Sequence, residues 1–128
     1  MVVQSIHHFN IRAPAAKLAQ VKEFYCEVLG LQEGWRPPFA SQGYWLYAEG
    51  QPVVHLVQSR EDEGAAAEDQ RTALDHVAFR CSGLELLLAR LQSRGIAYQV
   101  SRVPSLTIRQ VLVRDPVGTG VELSFDGE

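Results

Sequence analysis

The sequence has no apolar run close to the roughly 20 residues that a bilayer-spanning helix needs. Its opening, MVVQSIHHF, has no charged leader region, long apolar stretch or small-residue cleavage site, so no signal peptide is expected. There are only two cysteines, Cys26 and Cys81. They form no CxxC pair, and each falls within an apolar pattern. Two buried free thiols in a reducing compartment are expected. Positive charge is also scarce: 12 Lys and Arg against 15 Asp and Glu give a formal net charge of -3. That balance offers no basic stripe for nucleic acid and no basic amphipathic segment for a membrane surface. GxGxxG, P-loop, GxSxG and HExxH patterns are absent, so nucleotide binding and a serine nucleophile have no support. What remains is a cytoplasmic protein acting on a small molecule or on another protein.

What is present is a folded composition of 46% hydrophobic and 21% charged residues over 128 positions. This fits one domain, 1–128, and argues against disorder. The chain also repeats itself. Ile6–Ala13 (IHHFNIRA) and Leu74–Cys81 (LDHVAFRC) align without a gap, with His8 and His76 68 residues apart. Both alternate apolar and polar residues, as half-buried strands do. A helical pattern follows each: Leu18, Val21, Phe24, Tyr25, Val28 and Leu29 before Gly30, and Leu84, Leu87, Leu88 and Leu91 before Gly95. Strand-like runs then follow at about 31–36, 44–48 and 52–58, and at about 96–102, 108–114 and 120–125. Turn signals such as Pro37-Pro38, Glu49-Gly50 and Asp115-Pro116 separate them. The pattern predicts an α+β fold of two tandem βαβββ modules, at about 1–58 and 73–128. A solvated linker with a helical turn at about 59–72 joins them and includes the Glu61-Asp62-Glu63 run.

The repeat puts chemistry-bearing residues at equivalent places. His8 and His76 lie in the first strands, His55 and Glu122 in the last, and the spacings within the halves are 47 and 46 residues. Strand parity puts His8, Asn10 and Arg12 on one face, with His76, Ala78 and Arg80 as their counterparts. His7 falls on the other face and is not a candidate. If the halves are related by a pseudo-two-fold axis, all four positions approach it. A lone strand histidine is more often a hydrogen-bonded structural residue than a ligand. A glutamate between Val121 and Leu123 is unusual, because an unpaired buried carboxylate costs several kcal/mol. It could instead pair with Arg12 or Arg80. Two imidazoles and a carboxylate suit Ni(II), Zn(II), Mn(II), Fe(II) or Co(II) better than Ca(II). Open positions on such an ion accept two adjacent substrate oxygens, stabilising an enediolate or activating dioxygen.

The chain resembles the vicinal oxygen chelate superfamily, which includes glyoxalase I, extradiol dioxygenases, methylmalonyl-CoA epimerase, fosfomycin-resistance transferases and bleomycin-resistance proteins. The resemblance rests on Ile6–Arg12, Phe24-Tyr25 through Leu29-Gly30-Leu31, Leu74–Phe79, Arg114–Gly118 and Val121-Glu122-Leu123. It implies sheets curled around a metal cavity. His8, His76 and Glu122 match metal-ligand positions, and His55 matches the remaining one. Glyoxalase I and the epimerase carry Glu or Gln there, so His55 is either a fourth ligand or a general base. Arg12 matches an arginine that contacts glutathione in glyoxalase I, which makes glutathione a candidate cofactor. The resemblance also implies a homodimer. Some superfamily members bind ligands without a metal.

Two principal functions follow as expectations. One is a metal-dependent lyase, isomerase or ring-cleaving dioxygenase acting on a substrate that chelates the ion through adjacent oxygens. In it Glu122 and His55 are catalytic, and Arg12 or Arg80 neutralises an anionic substrate. The other is a metal-free protein that sequesters a ligand. A third possibility is an interaction module built on the aromatic cluster. The aromatics around Trp35, Phe39, Tyr44, Trp45 and Tyr47 wall a substrate pocket or pack as ordinary strands. Trp45 and Tyr47 share one strand face and Tyr44 the other. Tyr98 and Arg109 are further cavity candidates, and Gln110 points opposite to Arg109.

Overall fold

Alternation in the segment after His8 gives the first strand its two faces: Ile11 and Ala13 are buried and Asn10 and Arg12 exposed. The same residue-by-residue logic builds each half of the computed structural model, which describes residues 1–60 and 73–128. Most of the expected linker, with Glu61-Asp62-Glu63 and the anticipated helical turn, lies outside the described residues. The chain forms two compact units, Met1–Ala66 and Ala67–Glu128.

The first unit runs β1 (Phe9–Ala13), α1 (Ala15–Glu23), a π-helical turn (Phe24–Val28), β2 (Gln32–Gly34), β3 (Gly43–Ala48) and β4 (Gln51–Gln58). Its sheet order is β1-β4-β3-β2. β1 is parallel to β4 and the other pairs are antiparallel. The parallel pair requires a crossover, and α1 supplies it. Ala, Lys, Leu and Gln favour this helix, which buries Leu18 and Val21 and packs on β1 and β4. Phe24, Tyr25 and Val28 extend the buried face through the π turn.

The second unit repeats the plan with β5 (His76–Cys81), α2 (Leu84–Ser93), β6 (Gln99–Arg102), β7 (Ile108–Arg114) and β8 (Gly120–Asp126), in the order β5-β8-β7-β6. α2 buries Leu84, Leu87 and Leu91. Its N-terminal donors at Gly83 and Leu84 are taken by the Glu128 carboxylate, at 3.0 Å from each nitrogen. At its C-terminus Gly95 takes the left-handed conformation, and Ile96 N–H donates to the Leu91 carbonyl at 2.9 Å. The π turn that follows α1 ends the same way at Gly30, but its closing bond runs from Leu31 N–H to the Tyr25 carbonyl. The π turn has inserted one extra residue, which contributes to the spacing of 65 between Gly30 and Gly95 against 68 between His8 and His76.

Both units thus have the expected βαβββ order, and their registers coincide. Asn10 pairs with His55 as Ala78 pairs with Glu122, and Trp45 faces His55 as Leu112 faces Glu122. In each unit the core occupies one sheet face: Leu46, Val54 and Leu56 in the first, Val111, Val113, Val121, Leu123 and Phe125 in the second. The opposite faces carry His55, Glu122, Arg12, Arg80 and Trp45. Among the described residues no helix is long and apolar enough to cross a membrane.

Both cysteines are free and partly buried. Burial is the leading cause that raises each thiol above its ordinary pKa. The DPVG segment between β7 and β8 is a turn device. The buried Asp115 carboxylate accepts from Val117 and Thr119 N–H at 3.0 and 2.9 Å, and Gly118 N–H donates to the Asp115 carbonyl at 2.9 Å.

Candidate functional site

In the second unit β5 and β8 place His76 and Glu122 on the same open face. Gly120 stands directly opposite His76, and a Cβ there would collide with the Asp75 carbonyl oxygen. That close approach sets His76 beside the end of β8. Its Nε2 lies 3.2 Å from Glu122 Oε2, while its Nδ1 lies 2.8 Å from Asp75 Oδ2. The hydrogen bond to Asp75 is the main cause that raises the pKa of His76, and the charge of Glu122 adds to it. Glu122 is part-buried, and its desolvation is offset by partners. Its Oε1 accepts from Gln110 Nε2 at 2.7 Å and from Ser124 Oγ at 3.0 Å.

In the first unit the equivalent residues are His8, just before β1, and His55, in β4. His55 is buried in a ring column. His8 stacks on one face at 3.7 Å between ring centres and 14° between planes, and Trp45 covers the other at 4.1 Å and 10°. The Pro52 carbonyl lies 3.1 Å from His55 Nε2. A carbonyl can only accept, so Nε2 carries the proton and Nδ1 keeps its lone pair. Burial first, and then the neighbouring His8, lowers the pKa of His55, so the ring is neutral at neutral pH. His7, expected on the other face, meets His8 edge-on, with the two Nδ1 atoms 2.8 Å apart.

The donor geometry bears on a metal. Two ligand atoms each about 2.0–2.1 Å from one tetrahedral ion stand about 3.3 Å apart. The 3.2 Å between His76 and Glu122 fits that separation, and imidazole plus carboxylate is a donor set for borderline transition ions. The His8–His55 pair does not fit as it stands. An imidazole binds an ion close to its own ring plane, and two near-parallel stacked rings cannot both contain the same ion. Coordination by His8 therefore requires it to turn off the face of His55. Within each unit the donors come in pairs, and no group of three or more such side chains is gathered to hold an ion among the described residues.

The other candidates fall as follows. Arg12 shares the face of His55, and Arg80, opposite Ser124, shares that of Glu122. Trp45 meets Trp35 and Phe39 at 6.3 Å, and Arg36 lies over Phe39 at 4.9 Å, so the aromatic cluster assembles around Trp45. Tyr47 follows a bulge, and its hydroxyl donates to the Trp35 carbonyl at 2.5 Å. Tyr44 lies under Lys22 of α1, away from that cluster. The Tyr98 hydroxyl accepts from Gln92 of α2 at 2.9 Å, and Tyr98 lines a cleft of about 580 Å³ together with Leu112 and Arg114. Arg109 lies on the face of Val111 and Val113, opposite to Glu122, because Gln110 and Leu112 take the Glu122 face of β7. Sequence reasoning gave Gln110 and Ser124 that parity but no role, and gave Asp75 no role. The signal for Gln110 and Ser124 lay in their cross-strand pairing, two residues along β8 from Glu122, and that for Asp75 in its place next to His76.

Two curled four-stranded mixed sheets, each built βαβββ with repeat-matched polar faces, define a superfamily architecture. The family model for the Glyoxalase/Bleomycin resistance protein/Dioxygenase superfamily matches residues 5–123, and the chain belongs to that superfamily. It is 27% identical to YaeR of Escherichia coli K12 over 125 residues, covering 94% of this chain and 95% of that one. Among solved structures it resembles a putative glyoxalase family protein from Bacillus anthracis, with a TM-score of 0.75, 21% identity and 98% of each chain covered. It also resembles lactoylglutathione lyase from Agrobacterium tumefaciens, with a TM-score of 0.67, 21% identity and 98% and 96% covered. At these identities the two structures establish the fold alone.

Proposed function

We propose that the protein is a metal-dependent enzyme of the glyoxalase/dioxygenase type, in which His8, His76 and Glu122 hold one divalent transition ion. The observation that carries this reading is the His76–Glu122 pair, 3.2 Å apart at repeat-equivalent strand positions on an open sheet face. The ion is Ni(II), Zn(II), Mn(II), Fe(II) or Co(II), and when bound it supplies Lewis acidity to two adjacent substrate oxygens. The reaction class is lyase, isomerase or ring-cleaving dioxygenase.

The chain's own residues do the remaining work. Asp75 accepts from His76 Nδ1 and so directs Nε2 toward the ion. His55, neutral and with a lone pair at Nδ1, serves as a general base or as a further ligand. Trp45 and Tyr47 wall an apolar side of the substrate space and Tyr98 supplies a further contact, whereas Arg109, on the opposite face of β7 from Glu122, takes no part. Arg12 and Arg80 neutralise an anionic substrate, and a glutathione conjugate is one candidate for Arg12. The protein works as a homodimer. The test is thermal unfolding of chelator-treated protein with each ion added in turn. A specific ion should raise Tm in a concentration-dependent way, and no shift with any of the five would contradict the reading.

A second reading is favoured by one observation, the cluster of Trp35, Phe39 and Trp45 beside the His55 stack. Such a surface suits a planar aromatic ligand held without a metal, as in a sequestering protein of the bleomycin-resistance type. Ligand affinity unaffected by chelator would support it.

A further inference from the structure

We propose that Gln110 and Ser124 are positioning residues that make Glu122 a one-oxygen ligand and so bias the site toward transition ions over Ca(II). The inference rests on the metal reading above. A carboxylate oxygen has two lone pairs, and both of those on Oε1 are engaged, one by Gln110 Nε2 at 2.7 Å and one by Ser124 Oγ at 3.0 Å. Only Oε2 remains, and it is the oxygen that faces His76 Nε2 at 3.2 Å. Calcium takes six to eight oxygens and commonly uses carboxylates through both of theirs. A Glu122 pinned at Oε1 cannot offer that grip without breaking two hydrogen bonds. Zinc-like ions with four ligands accept a single carboxylate oxygen.

The duplication supplies an internal control. The position equivalent to Glu122 in the first unit is His55, which has no second oxygen to restrain. The residues equivalent to the Gln110–Ser124 cross-strand pair are Gly43 and Val57, themselves paired in the same register. Side-chain donors stand at these two places only in the unit that carries the carboxylate. The shared module architecture therefore does not require them; they go with the carboxylate.

The experiment titrates Co(II) and, separately, Ca(II) into chelator-treated full-length protein by calorimetry. It compares wild type, Gln110→Met, Ser124→Ala, Ser124→Thr and His76→Ala, with circular dichroism on each. Loss of an outer-shell partner typically weakens metal binding about 10–100-fold. Gln110→Met should lose Co(II) affinity in that range, Ser124→Ala should lose less, and Ser124→Thr, which keeps the hydroxyl, should stay near wild type. The ratio of Co(II) to Ca(II) affinity should fall in the first two. Equal affinities in all three variants, or a loss that leaves the ratio unchanged, would overturn the inference. Failure of wild type to bind Co(II), or wild-type affinity in His76→Ala, would instead overturn the metal reading and this inference with it. If Gln110→Met does not fold, the Ser124→Ala and Ser124→Thr pair carries the test.

Discussion

The imidazole of His55 lies flat on the indole of Trp45, with ring centres 4.1 Å apart and planes 10° from parallel. Cross-strand pairing of the two residues puts the rings in line, and His8 closes the other face. The stack keeps a buried polar ring packed while the Pro52 carbonyl accepts a hydrogen bond from its one N–H. Removing Trp45 leaves His55 without half of its packing. Large aromatic truncations cost about 3–5 kcal/mol when fully buried, and Trp45 is half-buried. Trp45→Ala should therefore cost about 2–3 kcal/mol in urea unfolding. Trp45→Phe, which keeps a ring over His55, should cost less than half as much. Equal losses for the two would show that stacking contributes nothing.

Gly120 permits β8 to approach β5 at His76. Gly120→Ala places a methyl against the Asp75 carbonyl, so the strands must separate. We expect a loss of about 1–3 kcal/mol, as for other overpacked sites, together with weaker metal binding because His76 moves from Glu122. Wild-type stability, measured by denaturant unfolding, would contradict this account of the strand spacing.

The Asp115 carboxylate holds the β7–β8 turn through two backbone N–H groups. Asp115→Ala leaves both without that acceptor and should cost about 1–3 kcal/mol. Metal affinity should be unchanged at temperatures where the variant is folded. A large loss of affinity in a fully folded variant would give this motif a direct part in the site.

Burial raises the thiol pKa of Cys26 and Cys81. The thiolate is the reactive form. Alkylation by iodoacetamide should be slow at neutral pH in the folded protein, and should accelerate as pH rises past the range of an ordinary thiol. In urea both should react at ordinary thiol rates. Fast labelling of the folded protein at pH 7 would contradict the burial assigned here.

Much of the architecture was legible because it is written twice. Residues equivalent in the alignment of Ile6–Ala13 with Leu74–Cys81 are equivalent in the sheets, and period-two alternation placed Glu122 opposite Val121 and Leu123. The opening strands begin later than the alternation suggested, at Phe9 and His76. The edge strands are also shorter than expected, because the runs around 31–36 and 96–102 pair over only three and four residues. The π turn left no separate mark, since its apolar residues continue the helical spacing. The His8–His55 stack and the hold of Gln110 on Glu122 depend on side-chain rotamers and cross-strand register, which a one-dimensional pattern does not carry.

The central claim is that His76 and Glu122 belong to a transition-metal centre. The most direct measurement is metal stoichiometry by mass spectrometry after chelator-treated protein is incubated with Ni(II), Zn(II), Mn(II), Fe(II) and Co(II) and freed of excess. Wild type should retain close to one ion per chain, and His76→Ala and Glu122→Gln, folded by circular dichroism, should retain almost none. No retained metal in wild type, or undiminished metal in both variants, would contradict the account.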